Sequence, residues 1–116
     1  MPRFVILAHD HPNLHWDFML EAGATLFTWR LATLPLPQQT VMAERIGEHR
    51  LMYLDYEGPV SGGRGTVTRW DAGDFDWLEN TQSRLVVHLR GSRLSGDFRM
   101  EQVAANRWVG QLLSGA

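Results

Sequence analysis

The sequence predicts an all-β protein, a small closed or nearly closed antiparallel β-barrel with little helix. Seven or more short runs rich in β-branched and aromatic residues follow one another at close spacing, with turn signals between them. Helical periodicity is scarce. The five tryptophans and five phenylalanines fall mostly inside those runs, where large rings fill the interior of a small barrel rather than stack on bases. The 116 residues are read as one domain, 1–116, long enough to bury about two-thirds of the surface of the unfolded chain.

Taken in order, Phe4-Val5-Ile6-Leu7-Ala8 is a continuous apolar run, the pattern of a strand buried on both sides, and it delivers His9 at its end. Pro12-Asn13 forms a turn, and a second strand runs from His15 to about Leu20. In it His15 and Asp17 alternate with Trp16, Phe18 and Leu20, so the polar pair leaves one face while the apolar residues enter a core. The hairpin brings His9 close to His15 and Asp17. A turn over Glu21–Thr25 leads to a strand from Leu26 to Leu31, and Pro35-Leu36-Pro37 breaks regular structure. Val41–Ile46 is read as a strand in preference to a helical turn, and Leu51–Tyr56 as a further strand with His49 just before it.

Gly58–Gly65 is glycine-rich but lacks the Lys-Ser/Thr ending of a phosphate loop and any following helix, so it is read as a wide turn. Thr66–Trp70 is a strand, and Asp71-Ala72-Gly73-Asp74 is expected to turn into Phe75–Leu78. From Arg84 the alternation is clean, with Leu85, Val87 and Leu89 on one side. A turn at Gly91-Ser92-Arg93, a strand over Leu94–Met100 and a last one over Arg107–Leu113 complete the chain.

Composition narrows the chemistry. With 44% hydrophobic and 21% charged residues the chain is an ordinary globular protein. No long apolar run and no charged-then-apolar leader is seen, so the expected setting is the cytoplasm and no membrane. Cysteine is absent, which removes disulfides, thiolate nucleophiles and thiolate metal ligands; any metal must be held by nitrogen and oxygen. Lysine is absent too, which excludes Schiff-base chemistry. A net charge of −2 provides no global basic footprint, so a nucleic acid would have to be gripped locally, at an end.

The stretch His9–Asp17 stands out, with three of the five histidines in nine positions. Neutral imidazoles and a carboxylate suit Mn²⁺, Zn²⁺ or Fe²⁺, and three protein ligands leave positions open for water and substrate. Ordinary surface hairpin histidines remain the alternative on spacing alone. A lone His49 or His88 carries less weight still.

The run Phe4-Val5-Ile6, His9-Asp10, Leu14-His15-Trp16-Asp17-Phe18, Leu20-Glu21 resembles the signature of the 3′-phosphoesterase domain attached to bacterial DNA ligase D, also found as a free-standing protein. Further matches follow in order: Trp29, Glu48-His49, Tyr53, Asp55-Tyr56-Glu57-Gly58, Gly65-Thr66-Val67, Trp70-Asp71, Gly73 and Leu94-Ser95-Gly96. The resemblance implies a β-barrel with its site on the outer surface and a divalent metal, typically manganese, with zinc or another transition metal as alternatives. It implies removal of a 3′-terminal ribonucleotide or 3′-phosphate from DNA, beside a repair ligase or polymerase partner. On the matching positions, His9, His15 and Asp17 would hold the metal, while His49 and Tyr53 would contact the scissile phosphate or its departing oxygen.

The chain also departs from that pattern. Met19 stands where the family carries an arginine, Thr33 where a lysine is typical and Val41 where an arginine is typical, and the glycine-rich loop is shorter. Arg30, Arg45, Arg50 and Arg64 are the candidates to replace the missing cations, with Arg50 adjoining His49 as a substrate contact. Two readings follow: an active metal-dependent phosphoesterase, or a metal-binding accessory or nucleic-acid-binding module with little or no turnover.

Overall fold

The computed structural model describes residues 1–114, which form a closed antiparallel barrel of eight strands. In chain order the strands are β1 (Arg3–His9), β2 (His15–Ala22), β3 (Thr25–Leu31), β4 (Thr40–His49), β5 (Gly58–Pro59), β6 (Thr66–Asn80), β7 (Arg84–Gly91), β8 (Ser95–Ala104) and β9 (Arg107–Ser114). The hydrogen-bonded order is β1-β2-β3-β4-β9-β8-β7-β6, and pairing of β6 back onto β1 closes the ring. The two-residue β5 sits outside it, paired with the start of β6. Among the described residues there is no α-helix, and no helix long and apolar enough to cross a membrane.

Strand alternation sorts the side chains into two apolar clusters. The barrel interior holds Phe4, Ile6, Phe18, Leu20, Trp29, Phe75, Phe98 and Trp108, with Leu85, Val87 and Leu89 from β7. Aromatic rings there meet at steep angles, Phe18 with Phe98 at 5.2 Å and Trp29 with Trp108 at 5.7 Å between centroids. A second, smaller cluster lies on the outer face: Val5, Leu7, Met19, Leu26, Leu54 and Val67. The continuous apolar run of β1 is thereby explained, because alternate residues serve the two clusters.

Two local expectations are overturned. Leu51–Tyr56 is not a strand: Leu51–Leu54 is a 3-10 helix, and His49 ends β4. The segment makes no ladder pairing with any strand of the sheet. Its backbone is satisfied locally instead, Tyr53 N–H donating to the Arg50 carbonyl at 3.1 Å and Asp55 N–H to that of Met52 at 3.1 Å. Leu54 points into the outer cluster and lids it.

Asp71-Ala72-Gly73-Asp74 is not a turn either, for β6 runs unbroken through fifteen residues. Its first part pairs with β1 and its second with β7, with register shifts at Ile6/Leu7 and Trp77/Glu79. Gly73 faces Gly91 across the β6–β7 pair, where a Cβ at position 73 would strike the Arg90 carbonyl. The glycine thus serves close strand approach. Asp71, only 3% exposed, accepts from the backbone N–H groups of Ala72, Ser92, Arg93 and Leu94, pinning the β7–β8 connection to β6.

Candidate metal and phosphate site

The candidate site lies on the outer face of the barrel. In the β1–β2 register His9 stands opposite His15, with ring centroids 4.9 Å apart, and Asp17 follows two residues on, on the same face. His9, His15 and Asp17 each present a ligand atom within 4.8 Å of the others, an arrangement that could hold a metal ion. The expected convergence of the hairpin is therefore present.

Backbone carbonyls set the tautomers of both rings. His15 Nδ1–H donates to the Asn13 carbonyl at 2.9 Å, which leaves Nε2 as a lone pair. His9 Nε2–H donates to the Arg64 carbonyl at 2.8 Å, which leaves Nδ1. These two remaining nitrogens face Asp17, His15 Nε2 at 3.2 Å from Oδ1 and His9 Nδ1 at 3.5 Å from Oδ2. The 3.2 Å approach is not aligned as a hydrogen bond, and both His15 Nε2 and Asp17 Oδ1 are buried without a hydrogen-bond partner. A lone pair held against a carboxylate oxygen in a dry position is unfavourable unless a positive charge, a proton or a metal ion, lies between them. Carbonyl-oriented imidazoles are also the usual outer support of a metal-bound histidine.

The glycine-rich segment builds part of this arrangement. Gly65 has φ +76, and a Cβ there would strike Asp10 and His11, so the loop can lie directly on the β1–β2 connection. Asp10 accepts from Thr66 N–H at 2.8 Å and fixes that contact. Within the stretch expected to be a wide turn, Gly58–Pro59 form β5, and the loop that follows brings the Arg64 carbonyl to His9.

Beside the cluster opens a pocket of about 280 Å³ whose walls include His9, Asp17, Met19, Arg30, His49, Tyr53 and Arg64. His49 and Tyr53, from the end of β4 and the 3-10 helix, meet edge-to-face at 5.7 Å. His49 Nδ1–H donates to the Gly47 carbonyl at 2.8 Å, leaving its Nε2 unengaged. Of the sequence candidates, then, His9, His15, Asp17, His49 and Tyr53 are brought together. Arg50 is exposed and does not line the pocket. His88 lies elsewhere, its Nδ1 2.7 Å from Asp97 across β7 and β8.

The expected cation positions separate. Met19 lines the pocket and packs into the outer cluster. Val41 is fully buried in the barrel interior, so its side chain faces away from the outer pocket. Thr33 is exposed in the connection after β3 and does not line this pocket.

The eleven arginines fall into three groups. Arg3, Arg69, Arg84, Arg90 and Arg99 are ion-paired with carboxylates. Arg45 stacks 4.3 Å from the Trp29 ring centre, where burial lowers its pKa from the ordinary arginine value, and Arg93 covers Trp70. Among the described residues Arg30, Arg50, Arg64 and Arg107 have neither partner. Arg30 and Arg64 line the pocket, and Arg30 also walls an adjoining groove with His15, Leu31, Met42 and Arg107. Unpaired positive charge is thus concentrated around the cluster although the net charge is −2. The orienting carbonyls of Asn13, Gly47 and Arg64 were not found from sequence, since a carbonyl carries no residue signature.

Comparison with known proteins places the chain in a family. A family model described as the DNA Ligase D 3′-phosphoesterase domain matches residues 7–102. A multifunctional non-homologous end joining DNA repair protein LigD from Mycobacterium tuberculosis is 30% identical over 95% of this chain, and a LigD from Pseudomonas aeruginosa is 32% identical over 84%. The chain spans only 16% and 13% of the length of those relatives. On the extent of the family match and the fold that carries it, the chain belongs to the DNA ligase D 3′-phosphoesterase domain family.

Proposed function

We propose that residues 1–116 form one phosphoesterase domain that heals DNA 3′ ends, removing a terminal ribonucleotide or 3′-phosphate with the help of a divalent metal. The observation that carries this reading is the pair of partnerless buried atoms, His15 Nε2 and Asp17 Oδ1, facing each other beside a pocket walled by His49, Tyr53 and Arg30. His9, His15 and Asp17 are the ligands, and their nitrogen and oxygen donors suit manganese first, with zinc or another transition metal as alternatives. When bound, the metal supplies charge neutralisation at the phosphate and a lowered pKa for coordinated water.

The chain's own groups do the rest. His49, its Nδ1–H given to the Gly47 carbonyl, turns the Nε2 lone pair to the pocket, where it takes a proton from water and, as the imidazolium, donates to a phosphoryl oxygen or returns that proton to the departing oxygen. The Tyr53 hydroxyl is a second donor at the same wall, and the edge-to-face contact limits the orientations of both rings. Arg50, exposed next to His49, adds positive charge for the flanking strand. A DNA or RNA-tipped DNA 3′ end is the substrate on this reading, with a repair ligase or polymerase as partner and the cytoplasm as setting.

Met19 favours a second reading, a metal-binding accessory module with little turnover, because a thioether in the apolar cluster stands where a cation was expected. One assay separates the two. Purified protein is incubated with Mn²⁺ and a primer ending in a single ribonucleotide or a 3′-phosphate, and conversion to a 3′-hydroxyl is expected. Unchanged ends with Mn²⁺ demonstrably bound would overturn the enzyme and leave the module.

A further inference from the structure

We infer that Arg30 is the phosphate-binding cation of this site, reaching it from the strand next to the one that carries Met19. The inference rests on the phosphoesterase reading for the identity of the ligand, a phosphate ester, but its test does not depend on turnover. In the β2–β3 register Arg30 stands directly opposite Asp17, and Met19 opposite Thr28. Directly opposed residues share a face, so Arg30, Asp17 and Met19 all belong to the outer surface that carries the pocket.

Three observations separate Arg30 from the other arginines. Its Nε is buried and has no hydrogen-bond partner, a position a guanidinium keeps at a cost unless something arrives to accept from it. It does not spend its charge on either neighbouring carboxylate. Asp17 across one strand pair leaves Oδ1 partnerless, and Glu44 across the other makes no ion pair with it. It also lines two adjoining cavities at once, the pocket with Asp17, His49 and Tyr53 and the groove with Met42, Arg107 and Glu44, a carboxylate that makes no ion pair with it. An anion held by Arg30 would lie beside the cluster, with room on either side for the substituents of an ester.

The planar guanidinium suits this task, presenting paired N–H donors that match two oxygens of a phosphate. Met19 packs among Val5, Leu7 and Leu26 and offers no competing donor. Loss of the cation at one position is in this way answered by a cation on the adjacent strand.

The test is the binding of thymidine 3′-monophosphate by the full chain without added metal, measured by calorimetry and by the ¹⁵N shift of the Arg30 Nε–H group. Wild-type protein is expected to bind and to move that signal. Arg30→Met should weaken binding about 10–100-fold, the usual loss for a charge-assisted hydrogen bond, while Mn²⁺ affinity and Tm stay as in the wild type. Arg30→Lys should recover part of the loss, and Met19→Arg in the Arg30→Met background should recover more, since it places a guanidinium back on the same face. Glu44→Gln, which removes the carboxylate that lines the groove beside Arg30, should leave binding equal or tighter. No phosphate binding by wild-type protein, or equal binding by Arg30→Met with fold and Mn²⁺ affinity intact, overturns the inference. Phosphate binding through Arg30 without primer cleavage would overturn the enzymatic reading alone.

Discussion

Two carboxylates, Asp17 and Asp71, are buried to nearly the same degree, at 4% and 3% exposure, and their surroundings are opposite. Asp71 accepts from four backbone N–H groups, so its charge is fully compensated by the fold. Asp17 faces two imidazole lone pairs and keeps Oδ1 without a donor. One carboxylate is met by the fold's own donors, whereas the other keeps an oxygen that no donor among the described residues reaches. Burial alone does not tell structure from function; the inventory of donors does.

The sharpest way to break this comparison is Asp17→Asn. Mn²⁺ affinity, read by calorimetry, should fall by on the order of 100-fold or more, since even an outer partner of a ligand is typically worth 10–100-fold. Without metal the variant should melt no lower than wild type, because it removes a buried charge that lacks a donor. Correspondingly, Mn²⁺ at about 100 times its Kd should stabilise wild type by about 2.7 kcal/mol and leave Asp17→Asn unmoved. Melting well below wild type in the metal-free variant would make Asp17 a structural residue like Asp71.

Asp71→Ala should do the reverse. It strands the N–H groups of Ser92, Arg93 and Leu94, and an unfolding titration should show a loss of about 2–4 kcal/mol. Mn²⁺ affinity measured well below the melting temperature should be unchanged. Coupled losses of both properties would dissolve the distinction.

The smallest effect concerns an exposed carboxylate. Arg90, hydrogen-bonded to Asp76 and Asp74, holds the Asp76 carboxyl below the ordinary carboxylate value of 3.8, and its own pKa is raised in turn. A depressed folded-state pKa contributes stability that is present above the unfolded value and is lost as pH falls through the folded one. Arg90→Gln should therefore flatten the decline in Tm only below about pH 4, leaving the neutral value nearly unchanged because exposed pairs contribute little. A marked fall in Tm at pH 7 would instead assign Arg90 a packing role.

The fold was largely legible because strand alternation is a local signal. Leu85, Val87 and Leu89, and the double-sided run of β1, read correctly from sequence and fill the clusters expected of them. The misreadings came where a local signal met a global constraint. Asp71-Ala72-Gly73-Asp74 carries turn chemistry, yet β6 passes straight through it because its two halves pair with different partners. Leu51–Tyr56 has strand composition, yet its first four residues close as a 3-10 turn that satisfies its backbone locally and sets Leu54 in the outer cluster.

By itself the sequence determined the barrel class, the hairpin that pairs His9 with His15 and Asp17, and the resemblance that names the family, because all three depend on residue types at short spacing. Tertiary structure decided the rest. It placed His49, Tyr53 and Arg30 around one pocket, sent Val41 to the interior and brought the Arg64 carbonyl across to His9. Those relations join strands distant in sequence, and their register is set by closure of the barrel, to which every strand contributes and which no single stretch encodes.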